Sequence, residues 1–143
     1  MKRQEDGTTF LLTGDIPAMW LRDSTAQVRP YLVIAKEDQE LAAMISGLVK
    51  KQFFYINIDP YANAFNETAN KAGHQTDHTQ MNDWIWERKY EIDSLCYPVQ
   101  LAYLLYKNTG RQDQFNEDFV NGVTKILSVL ETEQDHQHSM YTF

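Results

Sequence analysis

A chain of 143 residues, 43% hydrophobic and 13% aromatic, carries enough apolar content for one packed domain and is not disordered. Its formal charge of −7 argues against a nucleic-acid partner, whose phosphates demand a basic face, and no apolar run approaches the ~18 residues of a membrane span. The single Cys96 excludes an internal disulfide framework.

In chain order, the charged start Met1-Lys2-Arg3-Gln4-Glu5-Asp6 lacks the apolar stretch of a secretion signal, so a cytoplasmic location is expected unless a signal lies upstream of Met1. Thr13 to Ser24 follows, an irregular segment in which Gly14 and Pro17 break regular structure and Asp15, Trp20, Arg22 and Asp23 crowd together. An indole offers a flat apolar face to a pyranose ring, and an adjacent guanidinium and carboxylate present donors and acceptors to its hydroxyls. The competing structural reading has Arg22 and Asp23 simply pairing while Trp20 fills a core gap. Asp23 or Ser24 then caps a helix over Thr25–Ala35, with Val28, Leu32 and Tyr31 inward and a kink or late start at Pro30.

Asp38 caps a second helix running to about Ile56, in which Leu41, Met44, Ile45, Leu48 and Val49 follow the i, i+3, i+4, i+7 spacing. Phe53-Phe54-Tyr55 reads as packing between helices. The connection from Asn57 to Asp93 is long for a compact domain, and loops of that kind are often functional. It holds Asp59, Asn63, Asn66, Asn82, Asp83, Trp84, Trp86, Glu87 and Glu91, a polar and aromatic mixture suited to ordering hydroxyl groups. Each buried sugar hydroxyl left unpaired costs roughly 1–3 kcal/mol, so such a site needs many partners. The structural alternative gives Asn63 and Asn66 to turns and pairs Arg88 with Glu87 or Glu91. His74, Asp77 and His78 have a weak metal-ligand spacing in a segment too irregular for a helix, and no metal is expected. Asn66-Glu67-Thr68 matches the glycosylation triplet.

A third helix is predicted from Ser94 to Asn108, with Leu95, Val99, Ala102, Leu105 and Tyr106 inward, Pro98 in its first turn and Gly110 as its stop. The fourth runs from about Glu117 to Glu131 through Phe119, Val123, Ile126, Leu127 and Leu130. His136-Gln137-His138 reads as a solvated helix end. No strand alternates anywhere, so the fold class expected is all-α, built of antiparallel helix pairs.

Three blocks then carry a resemblance. Thr13 to Leu32, read as TGDIPAMWLRDSTAQVRPYL, resembles a signature of the glycoside hydrolase family 125 exo-α-1,6-mannosidases. Ile58 to Asn66 (IDPYANAFN) and Trp84 to Pro98 (WIWERKYEIDSLCYP) resemble two further segments of that family, in the same order and at similar spacing. The resemblance covers nearly the whole chain from Thr8. It implies a partial (α/α)6 toroid, with residues 1–143 as a single incomplete domain forming the N-terminal part of the barrel. Faces that the remainder of the barrel would cover are then left apolar and prone to self-association.

The activity implied is removal of terminal α-1,6-linked mannose with inversion, without metal or other cofactor. Inversion needs a carboxylic acid to protonate the glycosidic oxygen and a more distant carboxylate to activate water. Asp15, Asp23, Asp83, Glu87, Glu91 and Asp93 are among the carboxylates within or beside the blocks, and the residues alone allow any pair of them those roles. The resemblance instead puts the acid in a Gly-Phe-Arg-Pro-Ser-Asp-Asp segment absent here and the base farther on, so no catalytic residue is expected in this chain. It leaves Asp15, Trp20, Arg22, Asp23, Asn63, Asn82, Asp83, Trp84, Glu91 and Asp93 as candidates for binding a mannose-containing oligosaccharide, Arg22 and Asp23 foremost. Two other readings stand beside it: a non-catalytic helical carbohydrate-binding or assembly module, and a related toroid glycosidase acting on glucosides, since Trp-x-Arg-Asp also occurs in glucoamylase-like barrels.

Overall fold

Helix α1 spans Leu21–Val28 in the computed structural model, which describes residues 1–143, and so begins four residues before the predicted start at Thr25. Trp20, extended at φ −79° and ψ 137°, precedes its first turn without a side-chain cap. Asp23 and Ser24 therefore lie inside the helix, not at its cap. Asp23 sits in the first turn, where a carboxylate meets the positive end of the helix dipole. The kink expected at Pro30 is there: Arg29–Tyr31 form a 3₁₀ turn, and α2 resumes over Leu32–Ala35. Tightening to three residues per turn shifts the inward face, so Val28, Leu32 and Ala35 are buried while Tyr31 turns outward.

Asp38 caps α3 (Gln39–Ile58) as predicted, its carboxylate accepting the Leu41 N–H at 2.9 Å. The helix is enclosed on more than one side, and Ile45, Leu48, Val49, Phe53, Tyr55 and Ile56 are all fully buried. Gly47 permits one of those contacts, because a Cβ there would fall 2.6 Å from Thr9 Oγ1 and 2.8 Å from the Gly7 carbonyl. Helix α4 (Ile92–Thr109) starts two residues before the predicted Ser94. Pro98 thus stands in the second turn, where its missing N–H leaves the Ser94 carbonyl without its helical partner. Gly110 ends α4 in the left-handed region at φ +73°, its N–H returning to Tyr106 O at 2.8 Å. Asn116 caps α5 (Glu117–Thr132) through the Phe119 N–H at 3.0 Å. Tyr106 and Leu127, predicted inward, face out, and Leu101 and Val129 take the core positions.

Alternate helices pack side by side. Helices α1 and α2 lie against α4, α3 lies against α5, and α3 also contacts α4, which makes two layers. The N-terminal ends of α1 and α4 meet, since Arg22 Nη1 is 3.3 Å from Asp93 Oδ2. Val33 and Ile34 on α2, Tyr103 on α4 and Val120 on α5 remain exposed.

Short strands correct the all-α expectation. Lys2–Arg3 (β1) pairs antiparallel with Thr9–Phe10 (β2), and Met19–Trp20 (β3), Ala64–Phe65 (β4) and Ile85–Glu87 (β5) form an antiparallel sheet in the order β3-β4-β5. Strands of two or three residues show no readable alternation, which is why the pattern hid them. Strand β3 feeds directly into α1, and β4 and β5 anchor the long connection. Its core is aromatic: Tyr55 stacks on Phe65 at 4.5 Å and 6°, and its hydroxyl donates to Asn66 O at 2.7 Å. Asn66 is fully buried, its amide donating to Ala72 O and Asp83 O, so the glycosylation triplet is closed in the folded chain.

Candidate functional site

The junction of α1 and α4 gathers the site. Arg22, in the first turn of α1, has Asp23 Oδ2 at 3.4 Å, Asp93 Oδ2 at 3.3 Å and Glu91 Oε2 at 3.6 Å. Glu91 precedes α4 and Asp93 sits in its first turn, so both helix dipoles favour the carboxylates gathered there. Burial works against the charged guanidinium, but the hydrogen bond to Asp93 and the fields of Asp23, Glu91 and Asp93 outweigh it and hold the Arg22 pKa above its ordinary value. All four side chains are between 30% and 47% exposed. Half-exposed pairs at such distances contribute at most about 1 kcal/mol to stability. Asp23 Oδ2 is buried and Glu91 Oε2 also accepts from Ser94 at 2.8 Å, which leaves the other carboxylate oxygens to meet a ligand.

Trp20, Arg22 and Asp23 line one cleft with Thr13, Gly14, Ile16 and Gln27, about 280 Å³ in volume. Thr13 shapes it: its hydroxyl donates to Ala18 O and accepts the Trp20 N–H, both at 3.1 Å, closing a loop with Gly14 at φ +72° and leaving Asp15 exposed at the tip. A larger hollow of about 520 Å³ lies between the start of α4 and the end of α5, lined by Tyr90, Ile92, Leu130, Glu133, Gln134 and His136, and it includes none of the Arg22 cluster.

The other candidates lie elsewhere. Asn63 is buried behind the cleft as a strut, its carbonyl accepting the Leu21 N–H at 3.0 Å and its amide donating to Glu87 Oε2 at 2.8 Å. Burial pushes the Glu87 carboxyl up, but hydrogen bonds from Lys89 and Asn63 outweigh that and carry it below its ordinary value. Asn82 accepts the Trp84 N–H at 2.9 Å in a turn, Asp83 pairs with Lys71 at 3.7 Å, and Trp84 packs edge-on against Phe54 at 5.2 Å. These three serve the aromatic core of the connection in this structure, with no contact to Arg22.

Arg88 pairs with neither Glu87 nor Glu91. It donates to Asp59 Oδ2 at 2.7 Å and to Thr79 Oγ1 at 2.8 Å, and lies over the rings of Tyr61 and Tyr141. Around His74 the chain turns through backbone bonds to Trp86 O and from Asp77, and no three His, Cys, Asp or Glu side chains are arranged to hold a metal ion. No helix is long and apolar enough to cross a membrane. Sequence reasoning passed over Thr13, Gln27 and Gln52. The last had a legible signal, because a glutamine interrupts the apolar stripe of α3 between Val49 and Phe53.

Comparison with known proteins places this arrangement among the glycoside hydrolases. The chain belongs to the family described as metal-independent alpha-mannosidase (GH125), whose profile it matches over residues 1–143. It is 37% identical over 131 residues to the meiotically up-regulated gene 157 protein of Schizosaccharomyces pombe (strain 972), covering 86% of this chain and 26% of that protein. Its fold superposes with a TM-score of 0.96 and 60% identity on a Streptococcus pneumoniae metal-independent alpha mannosidase solved in a non-productive complex with α-1,6-mannobiose. That match covers 98% of this chain and 33% of the other, so the chain spans about a third of the solved relative's length.

Proposed function

We propose that the chain forms the N-terminal third of an exo-acting mannosidase that releases terminal α-1,6-linked mannose with inversion, and that its own share of the work is to bind and orient the sugar. The observation that carries this reading is the convergence of Arg22, Asp23, Glu91 and Asp93 beside Trp20. Carboxylates facing a guanidinium serve as acceptors for sugar hydroxyls, Arg22 donates, and the indole packs against the ring face. The packing of α1 and α2 on α4 and of α3 on α5, with α3 also meeting α4, supports placement within an (α/α)6 barrel. The α-1,6-mannobiose of the Streptococcus pneumoniae relative supports the substrate class.

The acid and base of the reaction then come from segments beyond Phe143, and holding the sugar in an attack-ready pose is what this part contributes. Two measurements test the reading. The purified 143-residue chain releases no mannose from α-1,6-mannobiose, and turnover that persists through purification rejects the placement of catalysis outside it. The complete enzyme, read from the coding DNA downstream of Phe143, contains the Gly-Phe-Arg-Pro-Ser-Asp-Asp segment and releases β-mannose first by proton NMR. Initial release of α-mannose rules out inversion.

A further inference from the structure

Gln52 is fully buried on α3, in a stripe otherwise made of Ile45, Leu48, Val49, Phe53 and Ile56. Its Nε2 lies 2.9 Å from Ser24 Oγ, 2.9 Å from Thr25 Oγ1 and 3.3 Å from the Leu21 carbonyl, three acceptors that all belong to the first turn and a half of α1. Ser24 relays the link, its hydroxyl donating to Leu21 O at 3.0 Å. From the opposite side the Leu21 N–H is held by Asn63 O at 3.0 Å. The residue directly before Arg22 is therefore fixed at both of its backbone polar groups.

The amide satisfies the fully buried Ser24 and Thr25 hydroxyls, but at a cost of its own. An apolar side chain at 52 would continue the stripe, and Gln52 Oε1 is itself buried without a partner, which carries a desolvation cost. The side chains that gain a fixed direction are Arg22 and Asp23, which the same turn aims at the cleft.

We propose that Gln52 is a positioning residue for the sugar site: through its three contacts it sets the rotation of the first turn of α1, and so the placement of Arg22 and Asp23 against the mannose. The inference rests on the sugar-binding reading above. It is tested in the complete enzyme with Gln52→Met, which keeps the volume and removes both N–H donors, and Gln52→Glu, which is a donor only when protonated. Misplacing contact groups by about an ångström costs up to ~10²-fold in rate, so Gln52→Met lowers kcat/KM on α-1,6-mannobiose by about tenfold or more at a temperature where its melting curve shows the variant fully folded. A carboxyl buried at 52 titrates above its ordinary range, so the activity of Gln52→Glu relative to the parent is highest at acid pH and falls as pH rises.

Parental kcat/KM in Gln52→Met, a ratio for Gln52→Glu that is flat with pH, or losses that only follow unfolding each overturn the inference, as does failure of both variants to fold. If only Gln52→Met fails to fold, the pH profile of Gln52→Glu decides. Arg22→Ala in the same assay separates the two levels. Full activity there removes the sugar-site reading and this inference with it, whereas impaired Arg22→Ala beside parental Gln52→Met overturns the positioning role alone.

Discussion

Two arginines in this chain face carboxylates in opposite surroundings. Arg88 is 8% exposed, makes a 2.7 Å bond to one carboxylate, Asp59, that is 14% exposed, and lies against the pair formed by Tyr61 and Tyr141, which stack on each other at 5.0 Å. Arg22 is 38% exposed and faces three carboxylates, none closer than 3.3 Å. The first arrangement is closed: one cation, one anion, short bonds and no room for another molecule. The second holds surplus acceptors at slack distances beside an open cleft. Residue type is the same in both, and what separates a clasp from a site is burial and the balance of donors to acceptors.

The largest effect expected is on the clasp. Arg88→Ala leaves Asp59 without its cationic partner and uncovers the stacked tyrosine rings, so urea denaturation of the chain shows a loss of roughly 3–5 kcal/mol. A loss under about 1 kcal/mol would mean that Asp59 finds water, and the contrast between the two arginines would collapse.

The site behaves in the opposite way. Arg22→Ala and Asp23→Ala in the complete enzyme each lose about 1.5–3 kcal/mol of transition-state stabilisation, measured as kcat/KM on α-1,6-mannobiose. Stability changes by no more than about 1 kcal/mol, because the pair is half-exposed. Contacts acting equally on ground and transition states appear in KM, and contacts that tighten as the ring distorts appear in kcat. Activity lost only in step with unfolding would turn the Arg22 cluster into a second clasp.

How much of this was legible in the sequence depended on length scale. The interiors of α3, α4 and α5 show in the hydrophobic spacing because each runs four turns or more, and the Asp38 cap and Gly110 stop are single-residue signals with a local mechanism. The start of α1 was not legible, since its first turn is set by the pairing of Trp20 with Ala64 and by a buried amide on α3, with no capping side chain to read. Arg22 and Asp23 stood out as neighbours. Their meeting with Glu91 and Asp93, some 71 positions on, is a product of α1 packing on α4. Trp84 shows the limit of composition, because an indole amid polar residues reads alike whether it meets a sugar or, as here, Phe54 and Tyr55.

A third ion cluster, at the α4–α5 turn, falls between the other two and gives the smallest effect. Asp113 accepts from Lys50 at 2.6 Å and from Ser46 at 2.9 Å, with Arg111 beside it, and its side chain is 40% exposed. Burial alone would raise its pKa; the bonds from Lys50, Ser46 and Arg111 outweigh this and lower it to about 2. Because the folded value lies below the unfolded one near 3.8, the folded state binds fewer protons in that interval. The stabilisation is therefore complete above about pH 4 and is lost as pH falls towards 2, and solvent screening keeps it to about 1 kcal/mol. Urea denaturation of the chain at pH 7, 4 and 2.5 shows the effect by difference: Asp113→Asn is less stable than the parent at pH 7, and the gap narrows with acid. A gap that stays constant with pH would assign Asp113 to its neutral contact with Ser46, and would leave solvent exposure a poor guide to which ion pairs of this chain contribute to folding.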